Sequence, residues 1–178
     1  MPSCPPSAMA DSPSSSAAND GAMGTARIRT ATPADYDGIA RVIDEWWGRP
    51  VLGSLPRLFL NLFWRTSLII DGNDGPDAFL VGILSPSDAA RAYIHFVGVG
   101  TAVRGRGYGR QLYEEFFRIA TSDGRTSVSA ITAVANTGSV AFHRVMGFTV
   151  TGPVENYDGP GRAMLAFERV LEPRDWVS

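Results

Sequence analysis

The stretch 91–133 constrains the fold more than any other part of the chain. RAYIHFVGV (91–99) is apolar on both faces, as a strand in the middle of a sheet must be. A helix follows over 108–121, with Leu112, Phe116 and Ile119 on one face and Asp123-Gly124 as its stop. Residues 126–133 then read as a β-branched strand. A strand, a helix and a second strand in that order pair in parallel across a right-handed crossover.

The flanks carry hairpin signals instead. Residues 67–71 and 77–85 are apolar runs around the turn-forming GNDGP (72–76). Residues 147–151 and 162–170 enclose a Gly/Pro loop at 152–161, after a helix at 137–146. Upstream, ARIRTA (26–31) alternates as a first strand. Thr32 is a helix cap, Pro33 suits the first helical position, and Asp35 complements the helix dipole. Tyr36, Ile39, Val42, Ile43 and Trp46 recur at helical spacing until Gly48-Arg49-Pro50. A second helix spans 56–66, with Leu55, Leu58, Phe59, Leu62 and Phe63 as its apolar stripe. The order is β-α-α-β-β-β-α-β-α-β-β. It predicts an α/β fold (an α+β mixed sheet) of about seven strands flanked by four helices. Residues 1–24, rich in Ser, Pro and Ala, lack the apolar surface to offset ordering and are expected to be a disordered tail before a domain at 25–178.

Charge and composition narrow the function. Sixteen basic residues face eighteen acidic ones, a net charge of −2, which argues against a general nucleic-acid binder. No apolar run approaches the ~18 residues of a membrane span, and no secretory signal is read at the N-terminus. Cys4 is the only cysteine, so no intrachain disulfide is expected; no metal is expected either, and the expected location is the cytoplasm.

GVGTAVRGRGYGRQLYEEF (98–116) joins the central strand to its helix. Gly105, Gly107 and Gly109 alternate with Arg104, Arg106 and Arg110. Glycines admit positive φ and close backbone approach to an anion, the helix start offers unpaired N–H groups, and guanidinium forks match phosphate oxygens. A nucleotide-triphosphate loop requires lysine after its last glycine, and the chain has no lysine. A dinucleotide fingerprint from Gly98 would need glycine where Val103 stands. An RNA-binding signature fits Arg106-Gly107-Tyr108-Gly109 and fails at Arg110-Gln111. What is left is R-x-x-G-x-G on Arg104, Gly107 and Gly109.

This pattern, after a strand ending in Val99 and before a helix, resembles the acetyl-CoA pyrophosphate loop of the GNAT superfamily of N-acetyltransferases. A second segment, Asn136-Thr137-Gly138-Ser139-Val140-Ala141-Phe142-His143-Arg144-Val145-Met146-Gly147-Phe148, is similar to the family's N-x-x-S/A-x-x-F/L-Y-x-x-x-G-F. The resemblance covers roughly residues 26–170. It implies acetyl transfer from acetyl-CoA to a primary amine by direct attack in a ternary complex. It assigns the coenzyme to Val97, Gly98 and Val99, to the loop Arg104, Gly105, Arg106, Gly107, Tyr108, Gly109 and Arg110, and to Asn136, Ser139, Phe142 and His143. The backbone amides of Val97 and Val99 would face the acetyl and pantetheine groups where the fourth strand splays from the fifth.

The chain departs from the family pattern at three points. Thr101 replaces a common proline. His143 replaces the tyrosine that serves relatives as the acid for the leaving thiolate, which makes His143 the acid candidate. Tyr93 stands near the usual glutamate base, so His95, two residues on and on the same face, becomes the base candidate. The family's acceptor site maps to Glu45, Trp46, Trp47, Arg49 and the 155–158 stretch with Tyr157. Family members often form homodimers. With the tyrosine and glutamate both absent, two readings stand at this point: an active enzyme, and a catalytically silent CoA- or acyl-CoA-binding regulatory domain of the same fold.

Overall fold

The structure, a computed structural model, describes residues 27–172, so the tail assigned to 1–24 lies outside it. Seven strands form one sheet in the order β1-β2-β3-β4-β5-β7-β6. They are β1 (Ile28–Thr30), β2 (Leu68–Asp71), β3 (Pro76–Leu84), β4 (Arg91–Val99), β5 (Ser127–Ala133), β6 (Thr149–Val154) and β7 (Met164–Val170). The helices are α1 (Asp35–Trp47), α2 (Leu58–Phe63), α3 (Tyr108–Ser122) and α4 (Thr137–Val145). β4 is central, and β4–β5 is the parallel pair; the other neighbours are antiparallel. Both the mixed sheet and the parallel β4–α3–β5 unit at its centre agree with the sequence pattern.

Strand alternation gives the sheet two apolar faces and therefore two cores. Ile69, Phe79 and Val81 point to one side, where Ile39, Ile43, Leu55 and Leu60 cover them. Leu80, Ile94, Val128 and Phe167 point to the other, beneath Leu112, Tyr113, Phe116 and Phe117 of α3. Each fully buried side chain of this size contributes roughly 1.5–3 kcal/mol relative to exposure. Gly82 is required by this packing, because a Cβ there would sit 2.1 Å from Cε2 of Phe116.

Local details differ from the sequence reading. The α1 helix begins at Asp35, and Thr32 does not act as its cap. The bond runs the other way: the Asp35 carboxylate accepts from the Thr32 N–H (2.6 Å) and hydroxyl (2.9 Å) while also binding Arg29. The second helix is shorter than 56–66, because Thr66 and Ser67 hydroxyls donate to the Phe63 carbonyl and turn the chain into β2. Its apolar stripe is also corrected. Leu55 and Leu60 are buried, whereas Leu58 and Leu62 are 59% and 63% exposed. β6 runs on to Val154, past the expected end at 151. It is an edge strand, where a register shift between Thr151 and Val154 accommodates Pro153.

Candidate active site

One additional residue in β4 creates the site. Val81 of β3 pairs with Phe96, but the next residue, Gly82, pairs with Ile94. His95 is therefore a bulge, and a bulge bends its strand. On the other edge, β4 pairs with β5 only from Arg91↔Ser127 to Tyr93↔Ser129. Beyond Tyr93 the strands diverge, β4 staying with β3 to Val99 and β5 staying with β7 to Ala133. Gly100 donates its N–H to the Asp77 carbonyl of β3 at 2.8 Å. Two-residue alternation then turns Gly98 toward β3, and the amides of Val97 and Val99 toward the gap. The gap is the floor of a cleft of about 660 Å³.

At the end of β4 the chain makes the turn that the glycines predicted. Gly105 and Gly107 have φ of 84° and 79°, and Gly107 is the N-cap of α3. The first-turn amides of α3 have no intrahelical acceptor and point out of the helix start. At Gly109 a Cβ would meet the Phe142 ring at 3.5 Å, so α3 and α4 approach closely there. The three arginines differ. Arg104 donates to the carbonyls of Trp46 (2.6 Å) and Val99 (3.3 Å), which ties the loop to the end of α1. Arg106 is exposed, and Arg110 lies 3.7 Å from Glu114. Tyr108 is half-buried against the α3 core.

Across the cleft, Asn136 caps α4. Its Oδ1 accepts from the Ser139 N–H (3.2 Å), and its Nδ2 donates to the Thr132 hydroxyl (3.0 Å). Two turns on, His143 is 4% exposed and stacked on Phe167 at 3.9 Å. Its Nδ1–H donates to the Ser139 carbonyl (2.8 Å), which leaves Nε2 to accept from the Tyr113 hydroxyl (3.0 Å). Burial lowers the His143 pKa, and the bond to Ser139 opposes that in part. The ring is neutral at neutral pH. Burial also raises the Tyr113 pKa. Phe142 meets the Tyr113 ring edge-on.

His95 lies in the cleft wall with its ring stacked on Phe59 at 3.8 Å. Its Nε2–H donates to the Ser54 carbonyl at 2.9 Å, so Nδ1 keeps its lone pair. Burial lowers the His95 pKa, with the Ser54 bond acting in the opposite sense. Tyr93 lies 6.3 Å away between ring centres, and its pKa is pushed up to about 12 by burial and by Tyr157 and Asp158 nearby.

The acceptor candidates divide. Trp47 lines the cleft with Arg49 and Asp158. Trp46 belongs to the core, stacked on Phe79 at 5.9 Å. Glu45 and Tyr157 are exposed and lie outside the lining. The sequence reading missed Tyr113, Ser54 and Arg162, all of which line the cleft. A tyrosine on an otherwise apolar helical face was the available signal for Tyr113. Ser54 acts through its backbone carbonyl, which no side-chain pattern reports. Among the described residues no group of three or more His, Cys, Asp or Glu could hold a metal ion. No helix among them is long and apolar enough to cross a membrane.

Solved structures share this architecture. Ard1 from Thermoplasma volcanium matches with a TM-score of 0.69 at 19% identity, over 82% of this chain and 97% of that one. A putative acetyltransferase from Salmonella typhimurium, solved with acetyl-CoA as its cofactor, matches at 0.63 and 20% identity, over 84% and 96%. The ribosomal-protein-S18-alanine N-acetyltransferase from Escherichia coli matches at 0.66 and 14% identity, over 83% and 95%. No curated protein sequence matches the chain. The profile of the acetyltransferase (GNAT) family matches residues 39–148, from the middle of α1 through both glycine-bearing segments to the start of β6, and the chain belongs to that family.

Proposed function

We propose that the protein is an acetyl-CoA-dependent N-acetyltransferase acting on a primary amine by direct attack. The observation that carries the reading is the divergence of β4 from β5 beyond Tyr93, with the Val97 and Val99 amides turned into the gap. An extended pantetheine arm can pair with those amides as a missing strand would. The diphosphate then falls at the start of α3, on the amides around Gly105 to Gly109 with Arg106 and Arg110, while Asn136, Ser139 and Phe142 flank the arm. Arg104 holds the loop in shape. One relative of this fold has been solved with acetyl-CoA, which supports the assignment.

In the reaction, the amine nitrogen forms a bond to the acetyl carbon and the carbon–sulfur bond breaks. The amine loses a proton and the sulfur gains one. A strand amide aimed at the carbonyl oxygen acts on charge that develops in the transition state, a contribution on the order of 10²–10³ in rate per donor. His95 takes the amine proton at Nδ1, and its lowered pKa keeps it neutral and able to accept. Tyr93 orients the amine beside it. The proton for sulfur comes from the Tyr113 hydroxyl, which stays protonated at neutral pH and is held at the cleft wall by Nε2 of the neutral His143, and the phenolate regains its proton from solvent.

The test is release of free thiol from acetyl-CoA with a panel of amines, alongside calorimetry with acetyl-CoA. Binding with amine-dependent thiol release is expected. Binding without release for any amine would instead favour the silent coenzyme-binding domain.

A further inference from the structure

The acceptor end of the cleft carries more positive charge than a simple amine would tolerate. Arg49 and Arg162 both line it, with Asp158 as the one carboxylate among the lining residues. Neither guanidinium has a hydrogen-bonding or ionic side-chain partner among the described residues. His95 adds no charge, because burial holds its pKa down. An amine reaches an enzyme as an ammonium ion, and two guanidinium groups against one carboxylate oppose its entry unless it carries an anion of its own.

The backbone around these side chains is fixed while their heads are free. Arg49 follows the left-handed Gly48 that ends α1, and its N–H donates to the Asp44 carbonyl (3.2 Å). The Asp44 carboxylate in turn accepts from the N–H groups of Val51 (2.7 Å) and Leu52 (2.8 Å). Asp158 and Arg162 sit on a loop bonded to itself. The Asn156 side chain accepts from the Gly161 N–H (2.8 Å), Arg162 N–H donates to the Gly159 carbonyl (3.0 Å), and Asp158 N–H donates to the Arg162 carbonyl (3.4 Å). Two locked turns thus present forked donors across an aromatic wall that includes Tyr93 and Trp47. Guanidinium forks match carboxylates in two-point contact, and aromatic faces accept a cation.

Resting on the transferase reading above, we propose that the acceptor is an amino acid: a small molecule with a free carboxylate held by Arg49 and Arg162, and an amine directed past Asp158 to His95. The carboxylate is unchanged by the reaction, which converts only the amine to its acetamide. A polycationic amine or a long peptide, with no carboxylate near its amine, does not meet this pattern.

The experiment compares the common amino acids with their carboxamides and decarboxylated amines, using the full-length protein and acetyl-CoA and reading thiol release. At least one amino acid is expected to exceed its carboxamide in kcat/KM by about 10- to 100-fold, the value of charge-assisted hydrogen bonds. Arg49→Gln and Arg162→Gln are each expected to raise KM for that amino acid about tenfold or more, with little change in kcat, and to leave acetyl-CoA affinity by calorimetry unchanged. Both side chains are exposed, so the fold tolerates the change. Equal use of amide and acid overturns the proposal. So does a loss of acetyl-CoA affinity in either variant, which would place the arginines on the coenzyme. Turnover of no amine, with acetyl-CoA bound, overturns it as well. Absence of acetyl-CoA binding by the unaltered protein would defeat the broader transferase reading too.

Discussion

Tyr113 on α3 and His143 on α4 share a hydrogen bond of 3.0 Å at the wall of the cleft, each in a site almost closed to water. Helix α4 supplies the imidazole and α3 supplies the phenol. Tyr113→Phe keeps the packing and leaves Nε2 of His143 without a donor. It is expected to cost about 1–3 kcal/mol of stability, and to lower kcat with acetyl-CoA affinity retained. Thermal unfolding and single-turnover kinetics check the two effects separately. Unchanged turnover would remove the pair from proton delivery and leave it a structural contact.

His95→Ala is expected to lower kcat by about 10²–10⁴ while acetyl-CoA still binds, since the coenzyme contacts proposed above lie farther along β4. The pH dependence follows from the lowered pKa. The neutral ring is the active form, so kcat rises with pH through an inflection below the ordinary value of 6.5 and is flat above it. A profile of kcat with saturating substrates reads this directly. An inflection above 6.5 would contradict the burial that depresses this histidine.

Gly98 faces the side chains of Phe79 and Trp47, and a Cβ there would stand 2.6 Å from Cε1 of Phe79 and 3.0 Å from Cη2 of Trp47. Gly98→Ala therefore overpacks the wall behind the Val97 and Val99 amides. The expected loss is about 1–3 kcal/mol, or several degrees in the unfolding midpoint, with acceptor KM altered through displaced Trp47. A variant as stable as the parent would show that the aromatic pair relaxes freely.

Arg29 makes paired hydrogen bonds to both Asp35 and Asp71, joining β1 to the start of α1 and to the end of β2. Its guanidinium lowers both carboxyl pKa values, Asp35 being further held down by Thr32. A depressed folded-state pKa gives stability that is present above the unfolded value and lost as pH falls through the folded one. The contribution should thus be constant near neutrality and fade below about 3.8. Because these groups are partly exposed, each pair is worth roughly 1 kcal/mol or less. Unfolding midpoints of Arg29→Gln and the parent should converge in acid.

The fold was legible because its strongest signals are local. The doubly apolar 91–99, the amphipathic 108–121 and the turn at 72–76 each determine their element and the way it connects. The α2 face was not legible. A helix of six residues is oriented by the long-range packing of Leu55 and Leu60 rather than by its own period, so Leu58 and Leu62 read as core and are exposed. At the site, glycine spacing announced the turn before α3, because positive φ demands glycine at Gly105 and Gly107. The fate of Arg104 was hidden, since its acceptors are backbone carbonyls 58 and 5 residues away. The pairing of Tyr113 with His143 was hidden for a related reason: the partner lies 30 residues on, and nothing in either helix alone marks the contact.

The bulge at His95 ties two properties of the molecule to one position in the chain. With His95 deleted, Phe96 opposite Val81 and Ile94 opposite Gly82 would become consecutive pairs, β4 would straighten, and its outer edge would zip onto β5 in an unbroken ladder. The enclosure and the imidazole in its wall would vanish together. Opening and chemistry are thus inherited as a unit, and a lineage could silence this site by losing a single codon without unravelling the sheet.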